Sequence, residues 1–161
     1  MKQVTRHGVF ETNSSSVHSL SIEGASHLVT LTITNGELMV EFGEFGWGYD
    51  RLDYWYDKLS YVLTAIQYHD TSVTNYETLE QSKFYQWLVE LVKDYSGATM
   101  GILKDRDNYH TMGYIDHQST PQEGGDPLED LWSTDEAEFK SNIKDVIFDA
   151  QYVIVIDNDN H

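Results

Sequence analysis

The chain has 161 residues, 40% of them hydrophobic and 13% aromatic, which is the size of one domain with enough apolar surface to bury a core. Its 27 acidic residues against 10 basic ones leave a formal net charge of −17. That charge argues against direct binding of DNA or RNA, which relies on Lys and Arg to neutralise phosphates. The absence of cysteine excludes disulfides, zinc–thiolate sites and thiol nucleophiles.

In chain order, Val17–Ile22 and Leu28–Thr34 alternate apolar with polar residues, as half-buried strands do. Asn35-Gly36 then separates Leu28–Thr34 from Glu37–Phe42. A two-residue Asn-Gly between alternating runs predicts a hairpin, because both turn residues must reach positive φ. Gly43–Asp50 (GEFGWGYD) reads as a glycine-aromatic loop. The period then changes: Leu52, Trp55, Tyr56, Leu59, Val62, Leu63 and Ile66 predict an amphipathic helix with Asp50 as N-cap. A second helix is expected from Glu77 to Tyr95, opened by a capping box at Thr74–Glu77 and stopped by Gly97. Strands follow at Thr99–Leu103 and Tyr109–Asp116, then an exposed acidic loop over Gln118–Asp130 with Pro121, Gly124-Gly125 and Pro127. Ser133-Thr134-Asp135-Glu136 predicts the start of a helix carrying Phe139, Ile143, Val146 and Ile147. Tyr152–Ile156 reads as a buried strand and a candidate for the centre of the sheet.

This order predicts a single acidic α+β domain over residues 1–161, a mostly antiparallel sheet with about three helices packed on one face. The longest apolar run, Tyr152–Ile156, falls far short of the roughly 20 residues a membrane-spanning helix needs. Lys2 and Arg6 are not followed by the apolar stretch of a secretory signal. No membrane attachment is expected.

The most unusual segment is Arg6–His18, which gathers Arg6, Glu11, Asn13, Ser14, Ser15, Ser16 and His18. A loop rich in small polar residues can offer backbone N–H groups and hydroxyls to an anion, with Arg6 as a charge clamp. Arg6, Asn13, Ser14, Ser15 and Ser16 are therefore the candidate anion-binding residues. Arg6, Glu11, Ser15 and His18 are the candidate catalytic ones, His18 or Glu11 serving as acid–base. The bland alternative is a polar turn bonded to its own backbone. Neither a Gly-x-Ser-x-Gly elbow nor a P-loop lysine accompanies the serines. Gly8–Leu20 (GVFETNSSSVHSL) resembles an N-terminal signature of uncharacterised proteins of phages, prophages and their bacterial hosts. The resemblance implies a mobile-element origin and the cytoplasm of a bacterial host.

Two further features are charged. Residues 41–57 set Glu41, Glu44, Asp50, Asp53 and Asp57 among Phe42, Phe45, Trp47, Tyr49, Tyr54, Trp55 and Tyr56. Aromatics of the glycine-rich loop have less reason to be core than those of the helix, and exposed aromatics are common interface anchors. From Thr120 to His161, 11 acids stand against Lys140 and Lys144, a net −9, so a contiguous acidic surface is expected there. Trp47, Tyr49, Asp50, Asp53, Asp126, Glu129 and Asp130 are thus the candidate partner-binding residues. No cofactor is expected. No metal site is assigned, Asp157 and Asp159 after the last strand being the weak candidates.

Three readings compete. The first is a binding protein, a counter-defence or accessory factor that inhibits or modulates a nucleic-acid-handling host protein by occupying its basic surface. The second is a small enzyme acting on a phosphorylated or nucleotide substrate through the Arg/Ser/His cluster. The third is a non-catalytic phage structural or regulatory protein. The binding protein ranks first on charge.

Overall fold

The computed structural model describes residues 33–104, 112–116 and 126–157. Among them run β1 (Ile33–Thr34), β2 (Glu37–Val40), β3 (Glu44–Phe45), β4 (Tyr49–Leu52), α1 (Trp55–His69), α2 (Tyr76–Gln81), α3 (Lys83–Ser96), β5 (Thr99–Ile102), β6 (Tyr114–Ile115), α4 (Glu136–Phe148) and β7 (Ile154–Asp157). A 3-10 turn at Glu129–Leu131 precedes α4. The chain is α+β. The expected strand Val17–Ile22, the start of Leu28–Thr34 and the Arg6–His18 cluster lie outside the described residues.

The Asn-Gly hairpin forms as the turn chemistry requires. Asn35 and Gly36 take φ of 55° and 80°, and Ile33 pairs with Leu38, Thr34 with Glu37. The expectation of a mostly antiparallel sheet is overturned. β2 pairs on its other edge with β5 in parallel, from Glu37↔Thr99 to Val40↔Ile102, and β3 pairs in parallel with β6. Alternation marks a strand but not its neighbour, and the helices α1 to α3 between β2 and β5 supply the long crossover a parallel pair needs. Gly43–Asp50 is likewise more than a loop, since it holds β3 and the start of β4. β7 is not central: it pairs antiparallel with β4 in a two-stranded sheet, Tyr49↔Asp157 to Leu52↔Ile154.

Four α-helices stand among the described residues where about three were expected. The predicted Glu77–Tyr95 helix is broken at Ser82, which is extended (ψ 131°) and buried, and whose hydroxyl donates to Asp70 at 2.6 Å. The capping box is one residue later than predicted: Asn75 accepts from the Thr78 amide, and the Thr78 hydroxyl accepts from Asn75 N–H. Gly97 ends α3 in the left-handed region, as expected. At α4 the cap is Asp135, accepting from Glu138 N–H at 3.0 Å. At α1, Asp50 is not the N-cap. Asp50 and Leu52 belong to β4, and Tyr54 takes the cap position without a side-chain bond.

α1 is the centre of the core. Residues 58–66 are all buried, and the helix packs on α3, α4 and strands β2, β4 and β6. Leu59, Val62, Leu63 and Ile66 meet Leu88 and Val92 of α3 and Phe139, Ile143, Val146 and Ile147 of α4 in one apolar cluster. Each such side chain contributes about 1.5–3 kcal/mol by leaving water. Lys58 is buried among them and donates to the carbonyls of Asp149 and Tyr152, both at 2.9 Å. It thereby ties α1 to the chain leaving α4. Burial pushes its ammonium below the ordinary lysine range.

Candidate functional site

One stripe of α1 positions the most distinctive surface. Tyr56, Ser60, Thr64 and Tyr68 recur every four residues, so they lie on one helix face. The Tyr56 hydroxyl donates to the Met39 carbonyl (3.2 Å), Ser60 donates to the Glu41 carbonyl (2.7 Å), and Thr64 Oγ1 accepts from Gly43 N–H (3.1 Å). The spacings match: four helical residues rise about 6 Å and two strand residues about 6.6 Å, so a helix can grip every second strand residue. Tyr68 completes the row, donating to the Ile115 carbonyl and accepting from Ile115 N–H at 3.0 Å. The short β3–β6 pair is thus fixed from below. Gly113 permits its approach, since at φ 69° a Cβ there would lie 2.3 Å from the Gly43 oxygen.

On this support, Phe45 and Ile115 face the core while Glu44 and Tyr114, in register with each other, face water. Trp47 stacks on Tyr114 with ring centroids 5.2 Å apart. Both rings remain exposed, Trp47 by 68% and Tyr114 by 36%, and Tyr49 is exposed by 57%. The loop that lifts Trp47 is closed by Asp50, whose Oδ2 accepts from Gly46 N–H at 2.7 Å. Beside it, Glu41, Glu44, Asp50, Tyr56 and Asp57 line a cleft of about 250 Å³. Desolvation first, then the Glu41 and Asp57 carboxylates, raise the Tyr56 hydroxyl above its ordinary range. Partial desolvation, then Asp53, raises the Asp57 carboxyl. Burial is the larger cause of both shifts; the smaller part comes from the neighbouring carboxylates, whose repulsion an arriving cation would relieve.

The predicted partner-binding residues divide. Trp47 and Tyr49 are exposed as expected, Asp53 is exposed and pairs with Arg51 at 3.7 Å, and Asp50 is half-buried in its loop-closing bond. Glu129 and Asp130 are exposed on the 3-10 turn, and Asp135, Glu138, Asp145 and Asp149 are exposed along α4 and its ends. Asp126 departs from this group because it is buried. Its side chain is 1% exposed, pairs with His69, and accepts from Leu128 N–H (2.8 Å) and the Tyr61 hydroxyl (3.3 Å). Burial first, then the Asp126 carboxylate, pushes the Tyr61 hydroxyl far above its ordinary range. The His69 ring stacks on Trp132 with centroids 3.9 Å apart. This buried network fastens the 126–132 segment to α1. It was not legible in the sequence, because its partners sit 57 and 65 residues before Asp126. Tyr114 was also missed as an anchor; its place on a predicted strand gave no sign of the exposed stack with Trp47.

The candidate anion-binding and catalytic residues Arg6, Glu11, Asn13, Ser14, Ser15, Ser16 and His18 lie outside the described residues, as do Asp159 and the side chain of Asp157. Among the described residues, no group of three or more His, Asp or Glu side chains is arranged to hold a metal ion. No described helix is long and apolar enough to cross a membrane. In comparisons with known proteins, no family model matches this chain, and no curated protein or solved structure matches it either.

Proposed function

We propose that this is an acidic binding protein that occupies a basic surface of another protein, of the kind found on proteins that handle nucleic acids. The observation that carries the reading is the exposed Trp47–Tyr114 stack, joined to a carboxylate-lined cleft through Glu44, which lines the cleft and stands in register with Tyr114. Trp47, on the loop after β3, keeps 68% of its surface in water, and Tyr114, on the braced β6, keeps 36%. They gain area when a partner covers them, and aromatic anchors dominate interface energetics. The surrounding charge selects the sign of the partner and speeds its approach. The net −17 extends that preference beyond the patch. The signature at Gly8–Leu20 supports a mobile-element origin, and with it a role in inhibiting or modulating a bacterial host protein. The reading as an enzyme rests on Arg6–His18 alone, and no described geometry favours it.

The test is affinity capture from a bacterial lysate with the wild type and with the Trp47→Ala/Tyr114→Ala double variant, at low and high salt. The expected result is a nucleic-acid-handling protein retained by the wild type at low salt, lost at high salt and lost by the variant. A partner held equally by both proteins, or held through an acidic surface, would rule the reading out.

A further inference from the structure

We propose that the surface around Trp47 and Tyr114 selects arginine over lysine, so that the partner presents an arginine-bearing segment; this rests on the reading of that surface as a site for a basic partner. Three observations combine. First, the stacked rings of Trp47 and Tyr114 leave aromatic surface in water, their planes inclined by 30°. Second, Glu44 stands in register with Tyr114 on the same exposed face, so a carboxylate sits beside the ring. Third, neither Glu44 nor its cleft neighbour Glu41 meets a cation among the described residues. The described cations near other acids are engaged: Arg51 with Asp53, Lys104 with Glu80, Lys140 with Glu90 and Glu136.

A flat guanidinium matches this arrangement in two ways at once. Its face lies on an aromatic ring, and its edge presents parallel N–H donors to a carboxylate. An ammonium supplies the charge alone, and its tight hydration opposes close seating on a ring. Both cations gain from the negative cleft; only arginine gains from the pairing of ring and carboxylate. A nucleic-acid base would also stack on such rings, but its phosphates would meet Glu41, Glu44, Asp50 and Asp57. The surface therefore favours a protein segment over a single strand.

The experiment uses the full chain and two labelled eight-residue peptides of equal charge, alternating Arg-Gly and Lys-Gly, titrated by fluorescence anisotropy. The Arg peptide should bind about fivefold more tightly, the ratio that roughly 1 kcal/mol of stacking and fork geometry gives. The ratio should persist at physiological salt, while both affinities fall together through screening. Trp47→Ala, at the more exposed ring, should bring the Arg peptide down to the Lys level with an unchanged circular-dichroism spectrum. Glu44→Gln, which leaves both rings in place, should reduce the ratio as well. Equal affinity for the two peptides overturns the arginine inference and leaves the basic-partner reading standing. Binding of neither peptide overturns both. Tighter binding of a single-stranded oligothymidylate than of either peptide overturns the inference in favour of base stacking.

Discussion

Replacing Asp126 by Ala tests whether the acidic 126–132 segment is a solvated loop or part of the core. The wild-type side chain is 1% exposed and serves three donors: Leu128 N–H at 2.8 Å, the Tyr61 hydroxyl at 3.3 Å, and the His69 ring. The substitution leaves a buried amide and a buried phenol without an acceptor, each worth about 1–3 kcal/mol of lost stability. It also strips His69, itself only 10% exposed, of its carboxylate. Breaking a buried pair from one side costs about 3–5 kcal/mol, and that is the expected total because the terms overlap. Urea unfolding followed by circular dichroism is the assay. With a slope of about 2 kcal/mol per molar, the midpoint should fall by about 2 M with the slope unchanged. Glu129→Ala and Asp130→Ala, at exposed positions on the same segment, should each shift stability by less than about 0.5 kcal/mol. If Asp126→Ala behaves like those two, the buried network does not exist as described.

Three more outcomes follow from the support beneath the aromatic pair and from the helix junction. Thr64→Val keeps the shape of a fully buried side chain but removes the acceptor for Gly43 N–H, so stability should fall by about 1–2 kcal/mol in the same urea assay; a neutral effect would show that α1 does not hold this strand by its hydroxyl. Gly113→Ala forces a Cβ against the Gly43 oxygen at positive φ, so it should destabilise by more than about 2 kcal/mol and disturb the Trp47–Tyr114 stack, read as a change in near-ultraviolet circular dichroism. Burial opposes ionisation of Asp70, but hydrogen bonds from Ser72 and Ser82 outweigh it and hold the carboxyl below its ordinary range. A depressed acid contributes stability that is complete above its unfolded value, near 3.9, and disappears as pH falls through the lower folded value. The wild type should therefore exceed Asp70→Asn by a constant margin from about pH 7 to 5, and the margin should shrink below about pH 4; a margin unchanged down to pH 2 refutes the assignment.

What the sequence disclosed depended on how local the determining interaction is. Asn35-Gly36 announces the hairpin because two adjacent residues must both take positive φ, and Gly97 announces a helix end for the same reason. Helix existence was legible from period, but the break at Ser82 was not. That break is set by a hydroxyl bound to Asp70, 12 residues back, rather than by a Gly or Pro. Strand partners were illegible because alternation encodes which face is buried, not which strand lies beside it. The aromatic–acid patch was half legible. The loop around Trp47 stood out for its glycines, while Tyr114 joins it only through the parallel β3–β6 pair. Asp126, among Gly, Pro and acids, looks like any solvated loop residue until His69 and Tyr61 are brought to it. The row Tyr56, Ser60, Thr64, Tyr68 had a readable spacing, yet hydroxyls on a helix ordinarily face water, and nothing local says that strands lie above them.

The negative charge itself has two divisions of labour, and they can be separated by mutation. Asp50, Asp70, Asp126, Asp135 and Asp149 each accept a backbone N–H, from Gly46, Ser72, Leu128, Glu138 and Gln151 respectively. In Asp70, Asp126 and Asp149 the donor lies two residues ahead, the geometry by which a short acid side chain holds a turn. The longer Glu41, Glu44 and Glu129 make no such bond among the described residues, and all three are exposed. A long stem lets a carboxylate reach a partner but costs entropy to pin against its own backbone, so function that relies on reach falls to glutamate. The triple variant Asp50→Ala/Asp135→Ala/Asp149→Ala should lose about 1 kcal/mol per site, which for a chain of this size lowers Tm by about 6–12 °C. The triple variant Glu41→Gln/Glu44→Gln/Glu129→Gln should keep Tm within about 2 °C. Its association with a basic peptide at physiological salt should nevertheless slow several-fold, because screening there confines exposed charges to about 8 Å and the patch acts locally. Calorimetry and stopped-flow mixing on the two variants decide the matter. If the two sets lower Tm alike and slow association alike, the division fails, and the charge of this protein serves its fold and its partner through the same residues.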